Sequence, residues 1–328
     1  VTDLLDIRDL TVSFPSGNSR VRAVNGVTYR LKEGEVLGVV GESGSGKSVH
    51  ALSIMRLLAG GRIDGGEIRL LDRDLLALDD EAMRAVRGKQ IAMIFQDPIS
   101  SLNPVYTVGF QLREALRLHL DLSHEAATRR AAELLALVGI PDAPQRLDNY
   151  PHELSGGMRQ RVMIALAIAC EPSLVIADEP TTALDVTIQA QIIELIKQLQ
   201  RDMGLTVIWI SHDLGVIASL AQTVNVMYAG YIVERGPVKS IYRNPRHPYT
   251  VGLLGSMPRH DAPAGGRLQA IPGRPPDMSM PLPGCPFSPR CDFSTAQCRE
   301  SMPHVEEAEE AHEVRCWNWR DVLASRTK

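Results

Sequence analysis

A chain of 328 residues, 44% of them hydrophobic, holds enough apolar material for one sizeable core and an appendage, about two domains by length. Its formal net charge of −4 excludes a protein that grips nucleic acid through a broad basic face, and no nucleic-acid partner is expected. No apolar run reaches the roughly 18 residues that cross a bilayer, and the opening VTDLLDIRDLTVSF has neither a basic nor an apolar leader region; the expected location is cytosolic, with room to sit against a membrane protein.

In chain order, LDIRDLTVSF and VRAVNGVTYRL alternate apolar and polar residues with β-branched enrichment, which predicts an N-terminal antiparallel sheet. EVLGVVGESGSGKS then reads as a buried strand, a glycine loop and a helix running through VHALSIMRLLAG. Residues about 105–170 carry 3.6-residue periodicity, including EAATRRAAELLALVGI, which stops at a Gly and a Pro; this block is predicted helical. Strand patterns resume at SLVIADEP and LTVIWISHD with the helical IQAQIIELIKQLQRDM between them, an order that predicts parallel strands joined by a crossover. Residues 258–284 are rich in Pro and Gly and read as a linker. No internal repeat is visible.

GESGSGKS, residues 41–48, has the spacing of a P-loop and the context that pattern requires, strand before and helix after. Gly41, Ser43, Gly44, Ser45, Gly46, Lys47 and Ser48 form the candidate ATP cradle. Its glycines let backbone N–H groups turn onto phosphate oxygens, Lys47 neutralises the β and γ phosphates, and the Ser48 hydroxyl can reach Mg2+. LVIADEP delivers Asp178 and Glu179 at the carboxyl end of an apolar strand, where α/β sheets bind ligands. Asp178 suits Mg2+ and Glu179 the attacking water; taken alone, adjacent acids there could equally cap the next turn. His212 also ends an apolar run, as a γ-phosphate contact or an ordered surface residue. Gln96, after IAMIF, could sense metal or water, or neither. Phe14 could stack on adenine or serve as edge core.

A second anion cradle follows. In LSGGMRQRVMIALAIA, residues 154–169, a serine and two glycines open an apolar helix, as a phosphate-binding helix N-terminus would. The helix body is expected to pack Val162, Leu166 and Ala169 inward, with Cys170 in the core.

Together, GESGSGKS, FQDP, LSGGMRQR, LVIADEP, TTALD and SHD resemble the nucleotide-binding subunits of ABC transporters over about residues 1–257. The resemblance implies an α/β fold: a RecA-like P-loop NTPase core with an antiparallel β subdomain and a helical signature subdomain at about 100–170. It implies ATP hydrolysis, with Glu179, His212 and Gln96 catalytic, Phe14 on adenine, and Mg2+ held by Ser48, Gln96 and Asp178. In this family two subunits pair head to tail, so Ser155, Gly156, Gly157 and Asp185 would meet the ATP held by the other subunit. One departure is Met158, where the commoner signature has Gln.

FQDPISSLNPVYTVGFQL, EPTTALDVTIQAQIIELI, NPRHPYTVGLL and GCPFSPRC resemble the dipeptide and oligopeptide permease branch, and the similarity reaches the end of the chain. That implies import of di- and oligopeptides through two transmembrane permease subunits, at the cytoplasmic face of the inner membrane. A second, homologous ATPase subunit and an extracytoplasmic binding protein complete the expected set. Nickel, opine and other small-solute importers have related subunits, and a soluble ABC ATPase is the reading from another class.

Cys285, Cys291, Cys298 and Cys316 crowd into the small C-terminal extension, residues 285–328, which is too short and Pro-rich to bury much core alone; a metal centre would supply folding energy. Their spacings lack the paired C-x-x-C of a zinc ribbon, and free thiols stay open. The resemblance implies a [4Fe-4S] cluster on these four, with Zn2+ as the alternative. The run EEAEEAHE reads as a solvated face.

Overall fold

Strands buried on both faces need no polar alternation, and the apolar runs noted above fold that way. The computed structural model describes residues 2–17, 19–97, 101–182, 184–257, 271–280 and 282–326. Contacts divide the chain into two units: Val1–Leu4, Lys32–Glu35 and Asp74–Ile210 form one, and Leu5–Leu31, Val36–Arg73 and Ser211–Lys328 the other.

In the first unit, Ile91–Ile94, Leu174–Asp178 and Thr206–Ile210 pair in parallel, with Ile91 opposite Leu174 and Asp178 opposite Ile210. The helix Val186–Met203 links the second strand to the third, which is the predicted crossover. The 105–170 block is helical as expected, in Val108–Leu120, His124–Leu137, Ala143–Arg146 and Gly156–Ile168. Short polar side chains start these helices. Thr107, Ser123, Ser155 and Asp185 each accept a hydrogen bond from the N–H three residues on, a contribution of about 1 kcal/mol apiece. Ala127, Ala131, Leu134 and Leu135 form the buried stripe of the second helix, and Gly139 ends its turn at φ 76°.

The signature helix departs from the one-faced expectation. Met163, Ile164, Ala165, Ala167 and Ile168 are buried together with Val162 and Ala169, while Leu166 is partly exposed. A helix apolar all round is buried all round, so no single face can be picked from its pattern. Cys170 is buried as expected, and burial raises its thiol above the usual range.

In the second unit, Val36–Val40 pairs in parallel with Thr223–Tyr228, which runs antiparallel to Tyr231–Pro237. The long strand Asp3–Ser16 lies between Ser19–Lys32 and Arg62–Leu70 and is antiparallel to the latter, which accounts for the N-terminal alternation. Residues 271–280 and 282–284 hold no regular element, and the rest of the predicted linker, 258–270 and 281, lies outside the described residues.

The tail builds more structure than its composition suggests. EEAEEAHE folds as a hairpin of Glu306–Glu309 with His312–Val314, and the inner strand adds to Tyr231–Pro237. Its glutamates keep solvent contact, but His312 is fully buried against Glu234 at 2.8 Å. Glu234 also accepts the backbone N–H groups of Arg246 at 2.6 Å and His247 at 3.0 Å, so this buried carboxylate is fully engaged. The His247 ring accepts from Tyr249 N–H, and burial lowers its pKa to about 3, which keeps it a neutral helix cap. Val314, Cys316 and Trp319 form a small core beneath the hairpin.

Candidate nucleotide site

The second unit carries the glycine loop. Gly41 leaves the strand Val36–Val40 where a Cβ would lie 2.2 Å from Met227 O and 2.7 Å from Ser45 Oγ. Gly46 has φ 99°, and a Cβ there would lie 2.3 Å from Ala23 O. Only glycine fits at either place, so the loop stays tight against the chain behind it. Lys47, opening the helix Lys47–Ile54, is buried, and its ammonium donates to Gly41 O at 2.9 Å and Glu42 O at 3.0 Å.

Three features fit a bound polyphosphate. The cation is held on neutral carbonyls, Ser45 Oγ is buried without a hydrogen-bond partner among the described residues, and Ser43, Gly44 and Ser48 are exposed at the loop's outer edge. Phosphate oxygens would give Ser45 Oγ the partner it lacks among the described residues.

Phe14 resolves between its two readings only in part. It is half-buried with its ring against Gly61, where a Cβ would lie 2.6 Å from Cε1. His212 is exposed beside Ser211, whose N–H donates to Val39 O at 3.1 Å, so it stands near the carboxyl end of the strand that feeds the loop. Asp213 caps the following helix Leu214–Leu220.

A cavity of about 700 Å3 in this unit, lined among others by Ser13, Arg20, Arg22, Arg62 and Asp64, contains no loop residue. Asp64 already answers Arg62 at 2.8 Å and Arg20 at 3.9 Å. The loop, with its uncommitted Ser45 hydroxyl, is the better anion receptor.

The first unit carries the acids and the second cradle. Asp178 is 8% exposed at the end of its strand. Glu179 adopts φ 47°, a left-handed conformation that costs a non-glycine residue on the order of 1 kcal/mol. Its N–H donates to Ile210 O at 3.0 Å, and its Oε2 accepts from Gln96 Nε2 at 3.3 Å and Thr182 Oγ1 at 3.0 Å. Gln96 and Glu179 are thus brought together, which spacing alone left open. Thr182 was not singled out from the sequence; the signal was its place three residues beyond Glu179, in a turn closed by Thr182 N–H on Glu179 O at 3.3 Å.

Ser155 is exposed and caps the signature helix, its Oγ accepting from Met158 N–H at 3.3 Å. That bond uses a lone pair and leaves the hydroxyl proton for an anion. Gly156 is exposed, and a Cβ on Gly157 would lie 2.9 Å from Ile188 Cγ2, so a missing side chain admits the helix that Asp185 caps.

The family model described as ABC transporter matches residues 24–182, and the one described as oligopeptide/dipeptide transporter, C-terminal region, matches 233–298. The dipeptide transport ATP-binding protein DppD of Bacillus subtilis is 51% identical over 96% of this chain and 94% of its own length. The chain belongs to the ABC transporter ATP-binding proteins. Another relative, the oligopeptide transport ATP-binding protein OppD of Bacillus subtilis, is 51% identical over 97% of this chain and 89% of its own. Among solved structures, a dimeric post-hydrolysis state of the ATP-binding cassette MJ0796 bound to ADP and Pi superposes with a TM-score of 0.65 at 28% identity, covering 71% of this chain and 98% of that one. This ABC protein is therefore an ATPase of cassette fold. None of its described helices is long and apolar enough to cross a membrane.

Cys285, Cys291 and Cys316 each stand near enough to feel a neighbouring thiol's charge. Burial pushes Cys316 up to about 12 and Cys291 up to about 11, and neighbouring thiols add to both. Cys298 Sγ has Thr295 Oγ1 at 3.3 Å and Asn318 Nδ2 at 3.5 Å. Among the described residues, no three His, Cys, Asp or Glu side chains are arranged to hold a metal ion.

Proposed function

We propose that this ABC ATPase drives uptake of di- and oligopeptides as the nucleotide-hydrolysing subunit of a membrane importer. The observation that carries the reading is the full-length likeness to peptide-transport ATP-binding proteins, joined to a P-loop whose lysine rests on its own carbonyls. Gly41, Ser43, Gly44, Ser45, Gly46 and Lys47 bind the phosphates, and Phe14 lies along the adenine. Ser48, Gln96 and Asp178 would hold Mg2+, which supplies charge neutralisation at the phosphate oxygens. Glu179 takes the proton of the attacking water, positioned by Thr182 and Gln96, and His212 contacts the γ-phosphate.

Ser155, Gly156, Gly157 and Asp185 serve the ATP of a second ATPase subunit, a homologous chain. ATP then joins the pair, and loss of the γ-phosphate loosens it. Domain limits at 257 and 285 accompany this reading. The membrane part docks at the groove near Gln96 and LNPVYTVGF, residues 102–110, where Val105 is 71% exposed and the Tyr106 and Phe110 rings stack at 4.4 Å. An extracytoplasmic binding protein supplies the cargo, and the chain works at the cytoplasmic face of the membrane.

Reconstitution with membrane subunits, a second ATPase and a binding protein of the same importer is the test. Labelled dipeptide is expected to accumulate in proteoliposomes only with ATP; ATP hydrolysis stimulated by nickel and indifferent to peptides would reassign the cargo.

Cys285, Cys291, Cys298 and Cys316 would hold a [4Fe-4S] cluster, whose chemistry here is that of a structural staple. Thr295 Oγ1 and Asn318 Nδ2 beside the Cys298 sulfur suit such a cluster, since hydrogen-bonding groups around cluster sulfurs are common, while among the described residues no three of these side chains are arranged to hold a metal ion. Anaerobically purified protein is expected to be brown and to bleach with dithionite. Colourless protein with one zinc per chain would replace the cluster with Zn2+, and colourless metal-free protein would leave four thiols.

A further inference from the structure

Arg290, the residue before Cys291, reaches back to the P-loop. It lies in the tight turn Ser288–Arg290 with a side chain 4% exposed. Nη1 and Nη2 grip the two carboxylate oxygens of Glu42 at 2.8 and 3.0 Å, a bidentate fork across 248 residues of sequence. Nη1 also donates to Tyr228 OH at 3.1 Å, Nε to Pro272 O at 2.8 Å, and Nη2 to Ile271 O at 3.3 Å. The guanidinium packs against the rings of Tyr228 and Phe287. No donor is left over, so the side chain has one place to be.

Glu42 is held as firmly. Its N–H donates to Tyr249 OH at 2.7 Å, and its carbonyl accepts Lys47 Nζ at 3.0 Å and Ser45 N–H at 3.2 Å. The residue that seats the phosphate-binding lysine therefore carries an anion into the loop meant for a polyphosphate. Unanswered, that charge opposes the ligand, and a mobile Glu42 lets go of Lys47.

We propose that Arg290 is a positioning residue for nucleotide binding: by neutralising and fixing Glu42 it readies the P-loop for ATP, so ATP affinity is set partly from the tail. The proposal rests on the ATP-binding reading of the loop. A purely structural staple would change stability and leave the loop's electrostatics alone, and the two consequences can be separated.

The measurement is the KM for ATP and kcat of the full chain in the assembled transporter, beside direct ATP binding to the full chain. Arg290→Met is expected to raise the KM about tenfold, as an uncompensated like charge at this range would, with kcat within about twofold of wild type. Adding Glu42→Gln to Arg290→Met removes the offending charge and should return the KM to within about threefold of wild type. An unchanged KM in Arg290→Met, or a double variant as weak as the single one, overturns the proposal. If Arg290→Met unfolds, Arg290→Lys, which keeps the charge but loses the fork, is read instead: a KM raised about threefold supports the role and an unchanged one refutes it. Failure of the wild-type chain to bind ATP would sink the nucleotide reading itself, a different result from ATP binding indifferent to Arg290.

Discussion

Glu179→Gln is expected to bind ATP as tightly as wild type and to hydrolyse it about 10²–10⁴-fold more slowly. The substitution is close to isosteric. The amide oxygen can still accept from Gln96 Nε2 and Thr182 Oγ1, and the left-handed backbone at this residue does not involve the side chain. What disappears is a group that can take a proton from water. Phosphate release from the assembled transporter and equilibrium binding of labelled ATP read the two halves separately, and the ATP-joined dimer should accumulate. Turnover near the wild-type rate would remove Glu179 as the base.

Lys47→Met should lower ATP affinity at least about 100-fold. Methionine fills most of the buried channel now occupied by the lysine stem, so the loss reports the ammonium rather than a cavity. That ammonium donates hydrogen bonds to Gly41 O and Glu42 O, so the loop's own backbone fixes its place. Each charge-assisted hydrogen bond to phosphate contributes about 1.5–3 kcal/mol, and losing two costs about 3 kcal/mol or more, a factor of 100 or above. Equilibrium dialysis of the full chain with labelled ATP measures it directly. Affinity within about threefold of wild type would mean that the phosphates sit elsewhere.

The candidate phosphate loop and its acids were legible in the sequence because such a site would constrain neighbours. Glycines at 41, 44 and 46 with Lys47 and Ser48 lie within eight residues, and Asp178 and Glu179 end one apolar run. The crossover around Val186–Met203 was legible for a similar reason, since period and length both changed at its ends. The signature helix was not, because a segment apolar on every side has no face to read.

What the sequence hid is held by long-range pairs. Gln96 and Glu179 are 83 residues apart, and Arg290 and Glu42 are 248 apart. Nothing local marks one arginine or one glutamate as the partner of another. His312 illustrates the masking effect of composition: among glutamates it looks solvated, yet it is the one member of its run buried at 0%. Phe14 stays between its readings because its ring meets Gly61 and also keeps solvent exposure.

The engaged carboxylate of Glu234 bears on how this tail can be inherited. Its partners come from the turn at 246–247 and from the hairpin at 312, so two distant stretches converge on one side chain. Recombination that exchanged the last sixty residues with those of a cousin lacking a matching imidazole would strand a desolvated anion inside the protein, at a cost of several kcal/mol. Grafted tails should therefore survive only where donor and recipient agree at both ends of that bond, which makes the extension travel with its cassette rather than shuffle as a free module.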